Sequence, residues 1–117
     1  MKIQEINNLL NATVLAGQEL LDREVFSACA SDLMSDILSY VKNQTILLTG
    51  LTNVHVIKMA EFLEVTAIVF VGGRMPADEV VNMAREMGIA VLATKYSMYE
   101  ACGKLYSVGL PGCTRES

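Results

Sequence analysis

Three uninterrupted runs of apolar residues occur in the second half of the chain, at residues 46–48, 68–71 and 89–92. None of them alternates with polar positions, which is typical of strands that are covered on both faces and pair in parallel. A short loop and apolar residues at helical spacing follow each run, so that the unit repeats about every twenty residues. This pattern predicts successive βα units with helices on both faces of a mostly parallel sheet.

The helices of these units have recognisable ends. The first is predicted over residues 53–63. The second has Pro76 in its first turn, two acidic residues behind it, and Gly88 at its end. Ser97 and Glu100 form a capping box that opens the last helix. The three apolar faces consist of Val56, Ala60 and Leu63; of Val80, Met83, Ala84 and Met87; and of Met98, Ala101, Cys102 and Leu105.

The first forty residues follow a different order. A short amphipathic helix ends at Asn11, and two short strands follow at Thr13–Ala16 and at residues 25–29. We expect this part of the sheet to be antiparallel. Ser31 is positioned to cap a further helix. The apolar faces of the two helices are Ile3, Ile6, Leu9 and Leu10, and Leu33, Met34, Ile37, Leu38 and Val41.

The chain length fits one domain. The chain has 117 residues, of which 52% are hydrophobic and 19% charged, a balance typical of a folded domain with one core. We therefore predict a single three-layer α/β domain with a mixed, mostly parallel sheet, spanning residues 1–110. No periodicity continues beyond Gly109, and residues 111–117 are expected to be a frayed tail.

Charge and cysteine content exclude several classes of function. The net charge is −4, and no run of Lys or Arg offsets it locally, so nucleic acid is not an expected partner. Polar residues interrupt the N-terminal segment, which therefore resembles neither a signal peptide nor a membrane span. The three cysteines form no C-x-x-C pair, which favours reduced thiols and a cytoplasmic location.

Polar residues and glycines follow the ends of the three apolar strands. In open α/β sheets, ligands bind at the carboxyl ends of the strands, where glycines admit close approach and helix N-termini offer N–H groups. Two of the nine basic residues of an acidic chain lie there. This pattern predicts a site for a small anion, a nucleotide or a phosphate compound, formed by Gly50, Thr52, Asn53, Gly72, Gly73, Arg74, Thr94, Lys95 and Ser97, with Thr49 beside them.

A structural interpretation of the same loops stays open. Neither a P-loop nor a dinucleotide-binding fingerprint is present. The glycines could serve turns, and Thr52 and Ser97 could be helix caps. The two cations could pair with nearby carboxylates such as Asp78 or Glu100.

No catalytic, metal or cofactor site is predicted. His55 is the only histidine, and a nucleophile–base pair would need Cys29 or Cys102 to meet it without any local signature of such a pair. The acidic pairs Asp32/Asp36 and Asp78/Glu79 are better explained as charges at helix N-termini or on solvated faces than as metal ligands.

Two stretches of the second half, residues 71–80 and 88–101, resemble the DRTGG domain family, and residues 22–23 and 31–34 extend the resemblance more weakly. The literal Asp-Arg-Thr-Gly-Gly string is absent. The resemblance implies the fold of the N-terminal domain of HPr kinase. It also implies a regulatory or interaction module, often dimeric and without an assigned activity, of the kind that accompanies CBS domains in some pyrophosphatases and occurs inside some phosphotransacetylases.

Three functional hypotheses follow. The first is a non-catalytic regulatory or protein-interaction module that forms a homodimer, since the mean hydropathy of +0.38 indicates apolar surface that a monomer would leave exposed. The second is a sensor of a small anionic ligand at the strand ends. The third, a small phosphotransfer or hydrolytic enzyme, requires a nucleophile and a base that the sequence does not supply.

Overall fold

The computed structural model describes residues 1–41 and 44–113. Its strands form one sheet in the order β1-β5-β4-β3-β2, with β1 antiparallel to β5 and the other neighbours parallel. A single 3₁₀ turn follows β1. In chain order the elements are α1 (Ile3–Leu9), β1 (Thr13–Ala16), the 3₁₀ turn (Gln18–Leu20), β2 (Ser27–Ala30), α2 (Met34–Tyr40), β3 (Thr45–Thr49), α3 (Val54–Phe62), β4 (Ala67–Phe70), α4 (Asp78–Met87), β5 (Ala90–Ala93) and α5 (Met98–Ser107).

The three apolar runs form the centre of the sheet, as predicted. Every residue of β3, β4 and β5 is buried, because helices cover both faces. The expected antiparallel first part is correct for β1 alone. Strand β2 is parallel to β3, since the chain between them includes α2 and returns to the starting end of the sheet, as a parallel crossover requires.

The helices form two outer layers, which confirms the three-layer arrangement. Helices α1 and α5 pack on one face of the sheet, where Ile6 and Leu105 join the side chains of Ile46 and Leu48. Helices α2, α3 and α4 pack on the other face, against Leu47 and its neighbours. Successive residues of β3 therefore enter different clusters, as the twofold periodicity of a strand requires.

Helix α2 differs from its prediction. It begins after Leu33, and the Ser31 hydroxyl accepts the Leu33 N–H at 3.0 Å in a local turn rather than capping the helix. Ile37 and Val41 are buried, whereas Leu33 is 61% exposed and Leu38 is also exposed. The reason is position: α2 lies beside the edge strand β2, so only one narrow line of its residues reaches the sheet.

The ends of α4 and α5 agree closely with the sequence analysis. Gly88 ends α4 in the left-handed conformation, and Ser97 accepts the Glu100 N–H at 3.2 Å at the start of α5. The prediction that Pro76 lies in the first turn of α4 is wrong, because Pro76 precedes the N-cap residue. Ala77 is still extended and the helix begins at Asp78.

The first residues of the tail, 111–113, are hydrogen-bonded to the sheet. The Ala28 N–H donates to the Pro111 carbonyl at 2.9 Å, and the Cys113 N–H donates to the Ala28 carbonyl at 3.0 Å. These residues were expected to fray. They pair because the outward backbone groups of the edge strand β2 would otherwise lack partners. The rest of the expected tail, residues 114–117, lies outside the described residues.

Among residues 1–41 and 44–113, no helix has both the length and the apolar character needed to cross a membrane.

Gly17 allows β1 to approach β5 closely. Its φ is +83°, and a Cβ at this position would lie 2.6 Å from the Ala90 Cα. We expect Gly17→Ala to lower the free energy of unfolding by about 1–2 kcal/mol for the left-handed backbone, plus about 1–3 kcal/mol for the steric overlap. The measurement is urea unfolding followed by circular dichroism.

The matched control is Gly88→Ala. Gly88 also has a positive φ, but a Cβ there would meet no atom within 4 Å. Only the backbone cost of about 1–2 kcal/mol should remain. Equal losses in the two variants would show that the close approach to Ala90 is not what Gly17 provides.

Candidate functional site

The carboxyl ends of β3, β4 and β5 lie side by side. Thr49 pairs in register with Phe70, and Phe70 pairs with Ala93. Thr13, which begins the antiparallel strand β1, pairs with Ala93 at the same edge. All nine predicted site residues follow these strand ends, in the β3 loop (residues 50–53), the β4 loop (71–77) and the β5 loop (94–97).

The two glycines of the β4 loop connect it to the β5 loop. The Gly72 N–H donates to the Tyr96 carbonyl at 2.7 Å, and the Gly73 N–H donates to the Thr94 carbonyl at 3.0 Å. Both glycines have φ near the left-handed region, +75° and +73°. Their N–H groups are therefore engaged within the protein, and the part predicted for the two glycines in ligand binding stays a prediction.

Three further predicted residues have structural partners. The buried Thr94 hydroxyl donates to the Leu10 carbonyl at 2.7 Å and so attaches the β5 loop to the end of α1. Asn53, and not Thr52, caps α3, by accepting the Val56 N–H at 3.2 Å. Ser97 caps α5, as its alternative interpretation proposed.

Asp32 occupies the β3 loop, although the sequence analysis did not assign it to the site. Its Oδ1 accepts the Gly50 N–H at 2.6 Å and the Thr49 hydroxyl at 3.1 Å. The parallel register of β2 and β3, in which Ala30 pairs with Leu48, carries Asp32 to this position. A carboxylate already binds the donors of this loop, so an anion is not favoured there.

Arg74 lies on the Asp32 side of the edge. A Cβ built on Gly50 would be 3.5 Å from the Arg74 Nε and 3.4 Å from the Asp32 Oδ1. Within the described part of the chain, the one ion pair joins the Met1 ammonium to Glu24 at 3.2 Å. The alternative interpretation, in which Arg74 and Lys95 pair with Asp78 or Glu100, therefore finds no such ion pair among the described residues.

The opposite end of the edge contains a cleft of about 750 Å³. Lys95 is the one charged side chain among the described residues that line it, and no carboxylate does so. Of the predicted site, the cleft includes Gly73, Thr94 and Lys95. The lining residues are Leu10, Asn11, Thr13, Gly73, Met75, Ala93, Thr94, Lys95 and Tyr96.

Tyr96 and the residues on the α1 and β1 side of this cleft were not among the predicted site residues. The Asn11 side-chain N–H donates to the Tyr96 hydroxyl at 3.3 Å. Lys104 of α5 places its ammonium 4.8 Å from the centre of the same ring. Tyr96 directly follows two predicted residues, but its contact with Asn11 depends on β1 pairing with β5.

A second groove, of about 370 Å³, lies between α5 and the edge strand β2. We call it the α5 groove. Tyr99 and Tyr106 stand beside it and are 88% and 75% exposed. Among the residues that the structure describes, those that line the α5 groove carry no charged side chain; they are Ala28, Ala30, Leu48, Tyr99, Cys102, Gly103, Leu105, Tyr106, Leu110 and Gly112.

The candidate nucleophiles are not activated. Burial raises the pKa of Cys29 to about 11, with a smaller electrostatic contribution from Cys113, and burial also raises the pKa of Cys102. Both groups stay protonated thiols at neutral pH, whereas the nucleophile in thiol chemistry is the thiolate. In the described ranges, no cluster of three His, Cys, Asp or Glu side chains could hold a metal ion.

Comparison with known proteins gives a family and a fold. The family model described as the DRTGG domain matches residues 5–108. A similar solved structure is the crystal structure of the CBS and DRTGG domains of the regulatory region of Clostridium perfringens pyrophosphatase, complexed with the activator diadenosine tetraphosphate. The TM-score is 0.74 at 19% identity, and the match covers 99% of this chain and 51% of that one.

The chain thus spans about half, 51%, of the length of this solved chain. Likeness at 19% identity concerns the fold. No curated protein matches the sequence.

Replacement of Asp32 tests its contact with the β3 loop. We expect Asp32→Ala to lower the free energy of unfolding by about 1–2 kcal/mol, because the buried Gly50 N–H loses its acceptor. Asp32→Asn keeps an acceptor and should lose less. Urea unfolding and hydrogen exchange of the Gly50 amide measure the effect.

Asp22→Ala removes an exposed carboxylate elsewhere and serves as the control for charge alone. If Asp32→Ala leaves both the stability and the exchange rate of the Gly50 amide at the values of this control, Asp32 does not hold the loop.

Proposed function

The chain belongs to the DRTGG domain family, and we propose that it acts as a non-catalytic regulatory module that assembles as a homodimer. The fold is shared with a domain from the regulatory region of a pyrophosphatase, which supports a regulatory role. The observation that carries the homodimer is the α5 groove with its two exposed tyrosines.

The α5 groove combines protruding and recessed apolar surface on one face. Tyr99 and Tyr106 project beside a floor of small residues, among them Ala28, Ala30 and Gly103. In a twofold interface, the same surface supplies both the inserted side chain and the recess that receives it. Tyrosine is also enriched among the residues that dominate binding at protein interfaces. A second copy of this chain is therefore the occupant that we propose.

The absence of turnover is part of the proposal. The raised pKa values of Cys29 and Cys102 leave neither thiol ionised at neutral pH. His55 is exposed on the first turn of α3, with no carboxylate or thiol among its hydrogen-bond partners in the described residues. A nucleophile oriented by a base, which covalent hydrolysis or group transfer would use, is therefore not assembled there.

A second function, the sensing of a small anion, is favoured by the charge of the cleft. The chain carries 13 acidic residues and a net charge of −4. The described residues on the wall of the cleft nevertheless include Lys95 and no carboxylate. An anion would find there a locally attractive potential within an otherwise repulsive surface. The regulatory region that contains a domain of this fold was crystallised with an anionic activator, diadenosine tetraphosphate, which is consistent with such a role.

Self-association can be tested with charge introduced at the α5 groove. We expect the wild-type protein to sediment as a dimer and the double variant Tyr99→Asp, Tyr106→Asp to sediment as a monomer. Desolvation of two carboxylates in an apolar interface should raise the dissociation constant by well over about tenfold. Sedimentation equilibrium over a concentration series measures it.

Phe62→Asp is the matched control, because Phe62 is an exposed aromatic residue on α3, in the opposite helical layer. This variant should remain dimeric. A wild-type protein that is monomeric at high micromolar concentration, or a double variant that dimerises as well as the control, refutes the proposed interface.

The anion site can be tested by replacing Lys95 and Arg74 in separate variants. We expect Lys95→Ala to weaken binding of inorganic pyrophosphate by about tenfold through loss of a charge-assisted contact. Arg74→Ala should change it much less, because Arg74 lies beside Asp32 and does not line the cleft. Amide chemical shifts of the β5 loop during titration measure both affinities.

Each variant serves as the other's control, since each removes one positive charge at the same edge of the sheet. Equal losses in both would indicate a general charge effect. The absence of any binding below millimolar concentration would leave the regulatory role to the proposed protein interface.

A further inference from the structure

Tyr96 is held in the cleft from several directions. Its N–H donates to the Thr94 hydroxyl at 3.2 Å, and its carbonyl accepts the Gly72 N–H at 2.7 Å. The Asn11 side chain donates to its hydroxyl at 3.3 Å. The backbone and the far end of the side chain are thus both fixed. A ring held in this way can act as a binding surface at little further entropic cost.

Tyr96 is half-buried and lines the cleft. The Lys104 ammonium contacts the ring at 4.8 Å from its centre, but Lys104 does not line the cleft, whereas Tyr96 does. Met75, which is 63% exposed, lines the same cleft, and its flexible thioether can adapt to a flat partner.

The remaining walls fit a larger ligand than an inorganic anion. Leu10 and Ala93 add apolar surface, and Thr13 adds a hydroxyl. A volume of about 750 Å³ also exceeds what a phosphate ion needs and falls in the usual range of small-molecule sites, about 300–1,000 Å³. An ion alone would gain nothing from an aromatic ring and an apolar wall. A molecule with a flat, weakly polar part and an anionic part would use both.

From these contacts we propose that the cleft binds a nucleotide, with its base against Tyr96 and Met75 and its phosphates at Lys95. The inference rests on the proposed anion site and specifies its ligand. Any base can stack on an aromatic side chain, because every base has a π-face. The base therefore supplies affinity, and Lys95 selects the charged form over the nucleoside.

The test compares ATP, adenosine and inorganic pyrophosphate as ligands of the full chain. We expect ATP to bind at least about fivefold more tightly than pyrophosphate, the gain of one stacked base. The ring protons of Tyr96 should shift with ATP and with adenosine, and stay in place with pyrophosphate. Two-dimensional NMR reports the ring and the β5 loop in the same titration.

Two variants separate the roles. Tyr96→Leu should weaken the binding of ATP by about fivefold or more and leave the binding of pyrophosphate unchanged. Lys95→Gln should weaken the binding of both phosphate ligands. Tyr96→Phe keeps the ring and should retain ATP binding, which guards against a folding defect in Tyr96→Leu. Phe62→Leu and Lys58→Gln, both on α3 in the other layer, are the matched controls and should bind as the wild type does.

The outcomes distinguish the proposed nucleotide site from the proposed anion site on which it rests. If pyrophosphate binds as tightly as ATP, or ATP leaves the Tyr96 ring protons unshifted, the nucleotide assignment is wrong and the anion site stands. If none of the three ligands binds below millimolar concentration, both are wrong.

Discussion

Strands β3, β4 and β5 are buried on both faces, and this constraint determines how the loops at their carboxyl ends are arranged. A backbone N–H or carbonyl in these strands has no water to bind, so each must pair with the neighbouring strand. A shift of one residue would break this pairing and turn each side chain toward the other helical layer. The three strands therefore end together at Thr49, Phe70 and Ala93, and the loops that leave them must meet.

The loops that meet at this edge form hydrogen bonds with one another, and these bonds determine which polar groups are left for a ligand. Gly72, Gly73 and Thr94 use their polar groups to join the β4 loop, the β5 loop and the end of α1. Asp32 supplies the negative charge at the β3 loop. These contacts divide the edge into an occupied end near Asp32 and an open end near Lys95. Two cations that look equivalent in the sequence thus have different surroundings.

Features encoded by neighbouring residues could be predicted from the sequence. The central strands and the glycine end of α4 depend on local apolar runs and on one left-handed residue, and both were found. The parallel direction of β2, the place of Asp32 and the contact of Asn11 with Tyr96 depend on which strands pair across the sheet. A single sequence shows apolar periodicity but not strand partners. For the same reason, nothing local indicated that Pro111 and Cys113 would bond to Ala28.

Helix α5 borders the α5 groove and contacts one residue of the cleft, and its packing decides how the two proposed surfaces could communicate. Lys104 contacts the ring of Tyr96, which lines the cleft, whereas Tyr99 and Tyr106 border the α5 groove. Ala101 and Leu105 anchor the helix in the core, and Ser97 caps its first turn. A close-packed core resists gradual displacement of a helix, because its side chains have few alternative arrangements. A ligand at the cleft would therefore influence self-association only by binding one state of the dimer equilibrium more tightly, and self-association would change its affinity by the same factor.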